Sequence, residues 1–242
     1  MLKQKIFTFM TLISILITSN LYAEDKIKIL YHERPPYVVT DSNGVVSGIT
    51  ANVVNKAFQN AKIAHFWQKI PSKRQIMILK KNKGKNCLVG WFKNSNREKF
   101  AKFTKSIHQD ESIVGLSLFS NTKINSGQTI EKVFQNKDLT LLIKSGYSYG
   151  LFIDNLIKKY NPNHDEVTVE NINMLRMINL ARVDYFFTTK EEMKSLIKSA
   201  GYSLHDYKFI EFSNMPLGNK RYILCNLKVE DETMDKLNAW IP

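Results

Sequence analysis

From Lys26 onward, short apolar runs alternate with amphipathic stretches, and this alternation points to a sheet covered by helices. The first units read strand, helix, strand, helix, strand: "KIKILY", "ITANVVNKAFQNA", "AHFWQK", "SKRQIMILKK" and "NCLVGW". Ile49, Val53, Val54, Ala57, Phe58 and Ala61 share one face of the first helix, and Ser72 is the expected cap of the second. A long strand is expected in "ESIVGLSLFS". The pattern then restarts with "LTLLIKSG", "YGLFIDNLIKKY", "EVTVEN", "INMLRMINLA", "DYFFTT", "KEEMKSLIKSA" and "YKFIEF". Leu151, Ile153, Leu156 and Ile157 form the core stripe expected of the helix that begins near Tyr149. Polar breaks at Asn121 to Gln128 and at Ser213 to Lys220 bracket this second set. If both are boundaries, the chain leaves one lobe, builds another and returns; a single doubly wound sheet is the alternative. Two lobes would enclose a cleft, where ligands prefer to bind.

The amino end carries Lys3 and Lys5, an apolar run from Ile6 to Ile17, and Ala23 before Glu24. This is the pattern of a secretory signal cleaved near Ala23, its apolar core being shorter than the ~20 residues of a membrane span. No cysteine lies there to take a lipid, so residues 24–242 are expected free in the periplasm. Cleavage removes two lysines and no acid, lowering the net charge from +13 to +11. That excess favours anions, but the lysines are scattered and gather into no arm or helix face, which argues against nucleic acid as the partner.

Cys87 and Cys225 would share an oxidising compartment, and each sits in an apolar strand-like run. A disulfide and two buried free thiols are both open readings. The histidines fall at no ligand spacing with one another or with a cysteine, so no metal or other cofactor is expected, and most are read as surface or loop residues.

Four segments carry a resemblance: "ERPPYVVTDSNGVVSGITANVVNKAF", "GWFKNSNREKFAKFT", "LLIKSGYSYG" and "LARVDYFF". In this order the chain resembles the periplasmic solute-binding proteins of the polar amino acid class, family 3. The resemblance implies a type II periplasmic-binding fold, two α/β lobes joined by two crossover strands around a cleft. It places lobe 1 at 24–112 and 221–242 and lobe 2 at 113–220, behind a signal peptide at 1–23. It also implies a monomer that captures a small anionic or zwitterionic solute for an ABC permease or a membrane sensor. Relatives continue past Pro242 with a further turn and helix, so either the first lobe is trimmed or the sequence is incomplete. The same lobe assignment puts Cys225 alongside Cys87, which permits a bridge without requiring one.

Of the cations Lys93, Arg97, Lys99 and Lys102, the resemblance selects Arg97 in "REKFAKFT" as the ligand-carboxylate binder, and the planar two-pronged guanidinium suits a carboxylate. Gly146, Tyr147, Ser148 and Tyr149 would close over the same group from a turn at a helix start, where free N–H groups favour an anion. Tyr37 and Trp91 are candidate walls, Glu33 and Arg74 candidate polar contacts. Relatives that bind amino acids end "R-[IV]-D-x-x-x-x-D" with an aspartate for the ligand ammonium; here "RVDYFFTT" puts Thr189 there, while Asp184 matches the earlier, structural aspartate. A neutral hydroxyl cannot balance a buried ammonium, so an acid without a free amine fits at least as well as an amino acid. The rival readings are a dehydratase-like enzyme, for which Glu33 is the one candidate acid or base, and a member that has lost its solute and works through protein contacts.

Overall fold

The computed structural model describes residues 26–242; the signal peptide expected at 1–23 lies outside them. Two five-stranded mixed sheets organise the chain. The first runs β4 (His65–Lys69), β1 (Ile27–Tyr31), β5 (Asn86–Phe92), β12 (Lys220–Asn226), β6 (Ala101–Gln109). The second runs β11 (Tyr207–Ile210), β7 (Val114–Leu118), β10 (Tyr185–Thr188), β8 (Leu141–Lys144), β9 (His164–Val167). A small hairpin pairs β2 (Val39–Thr40) with β3 (Val46–Ser47). Strands β4, β1 and β5 are parallel, as are β9, β8 and β10, whereas β12, β6, β7 and β11 pair antiparallel. The chain is therefore two α/β lobes joined twice, once between Gln109 and Val114 and once between Ile210 and Lys220.

Both sheets are apolar on both faces, which is why their strands read as continuous rather than alternating runs. In β12, Ile223 and Cys225 join Ile29, Val54 and Phe58 on one side, and Leu224 joins Leu30, Leu79 and Leu88 on the other. In β10, Tyr185 and Phe187 face one cluster of the second lobe and Phe186 the other. Each such side chain contributes about 1.5–3 kcal/mol by leaving water. The covering helices are α1 (Ile49–Asn60) and α2 (Ser72–Lys81) in the first lobe, and α5 (Leu151–Tyr160), α6 (Asn171–Asn179) and α7 (Lys190–Ser199) in the second. Short helices α3 (Ser95–Glu98) and α4 (Ile130–Gln135) lie between them in sequence. A last helix, α8 (Asp231–Ala239), buries Met234 and Leu237 in the first-lobe core.

Several local expectations are corrected. Pro71, not Ser72, is the cap residue of α2, and Ser72 is buried in the first turn without a capping bond. Leu151 is 70% exposed, leaving Ile153 as the one fully buried residue of α5. The break at Asn121 to Gln128 lies inside the second lobe, where Gly127 N–H donates to Glu211 O. The chain has already changed sheets at Asp110 to Ile113. Strand β6 escapes periodicity because its pairing with β12 shifts register twice, breaking the period-2 pattern.

The two crossings touch. Asp110 N–H donates to Asn219 O at 3.0 Å, and a Cβ at Gly218 would lie 1.9 Å from Asp110 O, so only glycine permits this approach. In the first sheet a disulfide joins Cys87 on β5 to Cys225 on β12, directly opposed in the antiparallel register and 138 residues apart in sequence. It ties the returning chain to the lobe it left. Replacing both cysteines by serine is expected to lower unfolding stability by about 2–5 kcal/mol, as closure of so long a loop implies. Urea midpoints of the two forms at equal m-value measure this, and coincident midpoints would assign the bridge no stabilising role.

Candidate functional site

The parallel strands β1, β5, β8 and β10 direct the loops after their carboxyl ends into one crevice between the lobes, the usual ligand position in α/β sheets. The loop after β1 brings His32, Arg34 and Tyr37; the loop after β5 leads through Asn94 to Arg97. From the other lobe, the turn after β8 brings Ser145 to Gly150, and the start of α7 brings Thr189 to Glu192. These groups meet across the gap. They leave two adjoining cavities of only about 30 and 20 Å³, each room for a water or two.

A hydrogen-bond chain of fixed sense enters from the first lobe. Trp91 Nε1–H can only donate, and does so to Gln75 Oε1 at 3.2 Å. The Gln75 amide nitrogen therefore faces His32 Nδ1 at 3.2 Å and donates to it. Burial lowers the His32 pKa well below its ordinary value, helped by the charges of Lys144, Arg34 and Arg221, so the ring is neutral. With Nδ1 accepting, the proton sits on Nε2 and is donated to the Tyr147 hydroxyl at 2.5 Å. The Tyr147 O–H proton is then left to be donated onward.

Next to this chain lies an ion pair between the lobes. Arg34 Nε and Nη2 donate to Glu192 Oε1 and Oε2 at 2.7 and 2.9 Å. Asn171 Nδ2 donates to the same carboxylate at 2.7 Å, and the guanidinium lies 5.5 and 5.3 Å from the Tyr37 and Tyr147 ring centroids. Burial works against the Glu192 charge, yet the Arg34 cation keeps its pKa below the usual range. Thr189 caps α7 by accepting from Glu192 N–H at 3.2 Å, and shares a 2.9 Å bond with the Tyr37 hydroxyl.

Arg97 is buried on α3, stacked 4.7 Å from the Trp91 ring centroid. Its Nη1 donates to Phe92 O at 2.6 Å and its Nη2 reaches across the gap to Gly146 O at 3.4 Å. No carboxylate among the described residues lies within ion-pair distance of it. Burial pulls its pKa down to about 10, opposed by the charge of Asp154, so it stays cationic at neutral pH. The other cleft cations are paired: Arg34 with Glu192, Arg221 with Asp110 at 2.6 Å, and Lys144 with Glu170 at 3.0 Å. Arg221 also stacks 4.0 Å from the Tyr37 ring centroid and keeps Nη2 without a hydrogen-bond partner.

Arg97, Tyr147, Ser148, Tyr37 and Trp91 line the first cavity, while Thr189 and Tyr149 line the second. Gly146, in the left-handed region at φ 80°, supplies the carbonyl that meets Arg97. The Ser148 hydroxyl donates to Asp154 Oδ2, and Asp154 also accepts from Tyr149 N–H, so Asp154 organises this turn and Gly150 is the cap residue of α5. The Tyr149 hydroxyl accepts from Lys144 N–H at 2.9 Å, and burial raises its pKa. Glu33 and Arg74 fall outside both cavities. Glu33 accepts from the Thr40 hydroxyl at 2.6 Å and pairs with Lys69 along a third cavity of about 500 Å³, which His32 and Arg34 of the first lobe and Asn171 and Glu192 of the second also line. Arg74 is on the exposed face of α2, and the next residue, Gln75, points inward. Lys93, Lys99 and Lys102 are not buried, and the first and last pair with Glu98 and Asp231. Asp184 accepts from Thr140 N–H and Asn121 Nδ2, bracing the start of β10.

Residues that the sequence did not single out are His32, Gln75, Lys144, Glu192, Asp110 and Arg221. His32 lies in the loop after β1, but it is buried there among cations. Glu192 sits three residues beyond Thr189, in the first helical turn rather than at the strand end. Among the described residues no group of three His, Cys, Asp or Glu could hold a metal ion.

This geometry defines the type II periplasmic-binding fold, two lobes closed on a crevice lined from both sides. Solved structures of similar fold include an ancestral arginine-binding protein bound to arginine, at TM-score 0.71 and 13% identity over 89% of this chain and 90% of that one. Holo ArgBP from T. maritima matches at TM-score 0.69 and 14% identity over 89% and 88%. The amino acid ABC transporter substrate-binding protein AbpA from Streptococcus pneumoniae, bound to L-arginine, matches at 0.69 and 13% over 89% and 86%. No protein-family model and no curated protein matches the sequence.

The lowered His32 pKa fixes a sign. As pH falls through about 6.5 the unfolded chain takes up a proton that the native site refuses, so stability falls on acidification. The expected loss, relative to His32→Asn, is up to about 1.4 kcal/mol per pH unit below about 6. Denaturant titrations of both proteins between neutral and mildly acidic pH measure the difference; parallel slopes would mean that native His32 carries a proton.

Proposed function

We propose that this protein is a periplasmic solute-binding protein that captures a small carboxylate-bearing solute between its lobes and presents it to an ABC transporter. The fold shared with amino acid transporter substrate-binding proteins supports a binding role. The observation that carries the solute class is Arg97, a buried guanidinium at the crevice whose donors meet only backbone carbonyls. A carboxylate can replace those weak partners with charge-assisted bonds of about 1.5–3 kcal/mol each. The outward-donating Tyr147 hydroxyl and the unpaired Arg221 Nη2 add two further donors along the same cavity.

The arginine carried by the structural neighbours is a poor fit. An ammonium or guanidinium on the solute would need a carboxylate, and those lining the two cavities, Asp110 and Glu192, each already pair with an arginine, Arg221 and Arg34, with Asp110 Oδ2 the one oxygen that keeps no hydrogen-bond partner. Thr189, where relatives are expected to carry aspartate, offers a hydroxyl already used by Tyr37 and α7. An organic acid without a free amine therefore suits the site best. Glu33, the one candidate acid or base of the dehydratase-like alternative, is engaged with Thr40 and Lys69. No helix among the described residues is long and apolar enough to cross a membrane.

Screening small mono- and dicarboxylates by thermal shift tests the reading. At a hundred times its dissociation constant a cognate acid should add about 2.7 kcal/mol of stability. Arg97→Ala is expected to abolish the response with the fold intact, and Arg97→Lys to retain a fraction, because an ammonium cannot grip both carboxylate oxygens in one plane. An undiminished response in Arg97→Ala would remove this residue from the site, and a response confined to cationic solutes would overturn the assigned class.

A further inference from the structure

Arg34 is held as a bound ligand would be. Its guanidinium makes two parallel hydrogen bonds to Glu192, at 2.7 and 2.9 Å, and lies within 5.5 Å of two tyrosine ring centroids, one from each lobe. The receiving carboxylate is 2% exposed and is oriented by Asn171 Nδ2 at 2.7 Å and by its place in the first turn of α7. Apart from Tyr37, all of these receiving groups belong to the second lobe, whereas Arg34 is rooted in the loop after β1 of the first. The arrangement thus consists of a receptor on one lobe and a tethered guanidinium on the other.

Aromatic rings near a planar cation that faces a paired acceptor make a recognition site for a guanidinium group. We propose that the second lobe carries a guanidinium-binding subsite, built by Glu192, Asn171 and Tyr147, which Arg34 of the same chain keeps filled. The proposal rests on the crevice being a solute site and extends that reading in two ways. Arg34 excludes free cationic solutes from the subsite, because a tethered group competes at a high effective concentration. It also draws the lobes together without solute, since its two bonds exist only when the crevice is closed.

Removing the tethered occupant should expose the subsite. In the full chain, methylguanidinium chloride is titrated against wild type, Arg34→Ala and the double variant Arg34→Ala/Glu192→Gln, following melting temperature and tryptophan fluorescence, with tetramethylammonium chloride as the ionic control. Arg34→Ala is expected to be stabilised by millimolar methylguanidinium while wild type is not. The double variant should bind it about tenfold to a hundredfold more weakly, the loss expected for one charge-assisted pair. Should Arg34→Ala not fold unaided, recovery of its folded signal on adding methylguanidinium supports the proposal, and failure to recover overturns it. Equal responses of all three proteins, or none in folded Arg34→Ala, would also overturn it. The carboxylate responses of wild type and Arg97→Ala are read separately, so failure of the anionic-solute reading would not be mistaken for failure of this one.

Discussion

A charge withdrawn from water must be matched by an opposite charge or by well-placed dipoles, and this requirement governs the crevice. Arg221 and Asp110 meet it where the chain crosses between lobes, Arg34 and Glu192 meet it across the gap, and Lys144 and Glu170 meet it within the second lobe. Arg97 meets it only in part, through two carbonyl oxygens. Three cations are thus paired directly, and the fourth, Arg97, feels the charge of Asp154 without an ion pair to it. The overall net charge of +13 says nothing of this, since most lysines that contribute to it lie away from the crevice.

The same pairs bear on motion. Two strands of chain connect the lobes, and they are pressed together where Gly218 lies against Asp110, next to the buried Arg221 pair. Rotation about these crossings would leave both sheets intact, because each core is closed within its own lobe. What opening must break includes the Arg34–Glu192 pair, the His32–Tyr147 bond, the Tyr37 bonds to Thr189 and Glu191, and the long Arg97–Gly146 contact. Being largely buried, the ion pair is less screened by salt than a surface pair. A solute favours closure only by what it adds beyond these contacts.

Much of the fold is legible in the sequence because the sheets are apolar on both faces and the helices amphipathic. Runs such as "KIKILY" and "DYFFTT" identify themselves, and Arg97 stands out through its motif. What escapes depends on distances that no local pattern encodes. Strand β6 is hidden by its register shifts, and α5 starts at Leu151, after a turn whose free groups are shared between Asp154, which accepts from Tyr149 N–H, and Ser148, which accepts from Gly150 N–H. Gln75 and Arg74 are adjacent, so a reading good to one residue cannot separate a side chain that faces Trp91 from one that faces water. The neutral state of His32 is set first by its burial and then by the charges of Lys144, Arg34 and Arg221, which lie between 2 and 189 positions away in sequence.

Thr189 shows how a missing charge can be misjudged from sequence position alone. Where the family pattern places a carboxylate at the strand end, this chain supplies one three residues later, a single helical turn away. That shift alters its chemistry as well as its place. At the strand end a carboxylate would face a solute directly; in the first turn of α7, the Glu192 carboxylate instead accepts from Arg34, Asn171 and the Thr188 hydroxyl. Removal of the acid from one position and insertion of Arg34 opposite the other act in the same direction, because each withdraws negative charge from an incoming solute. The preference for anions that we propose therefore rests on the pairings in the crevice and not on any one residue within it.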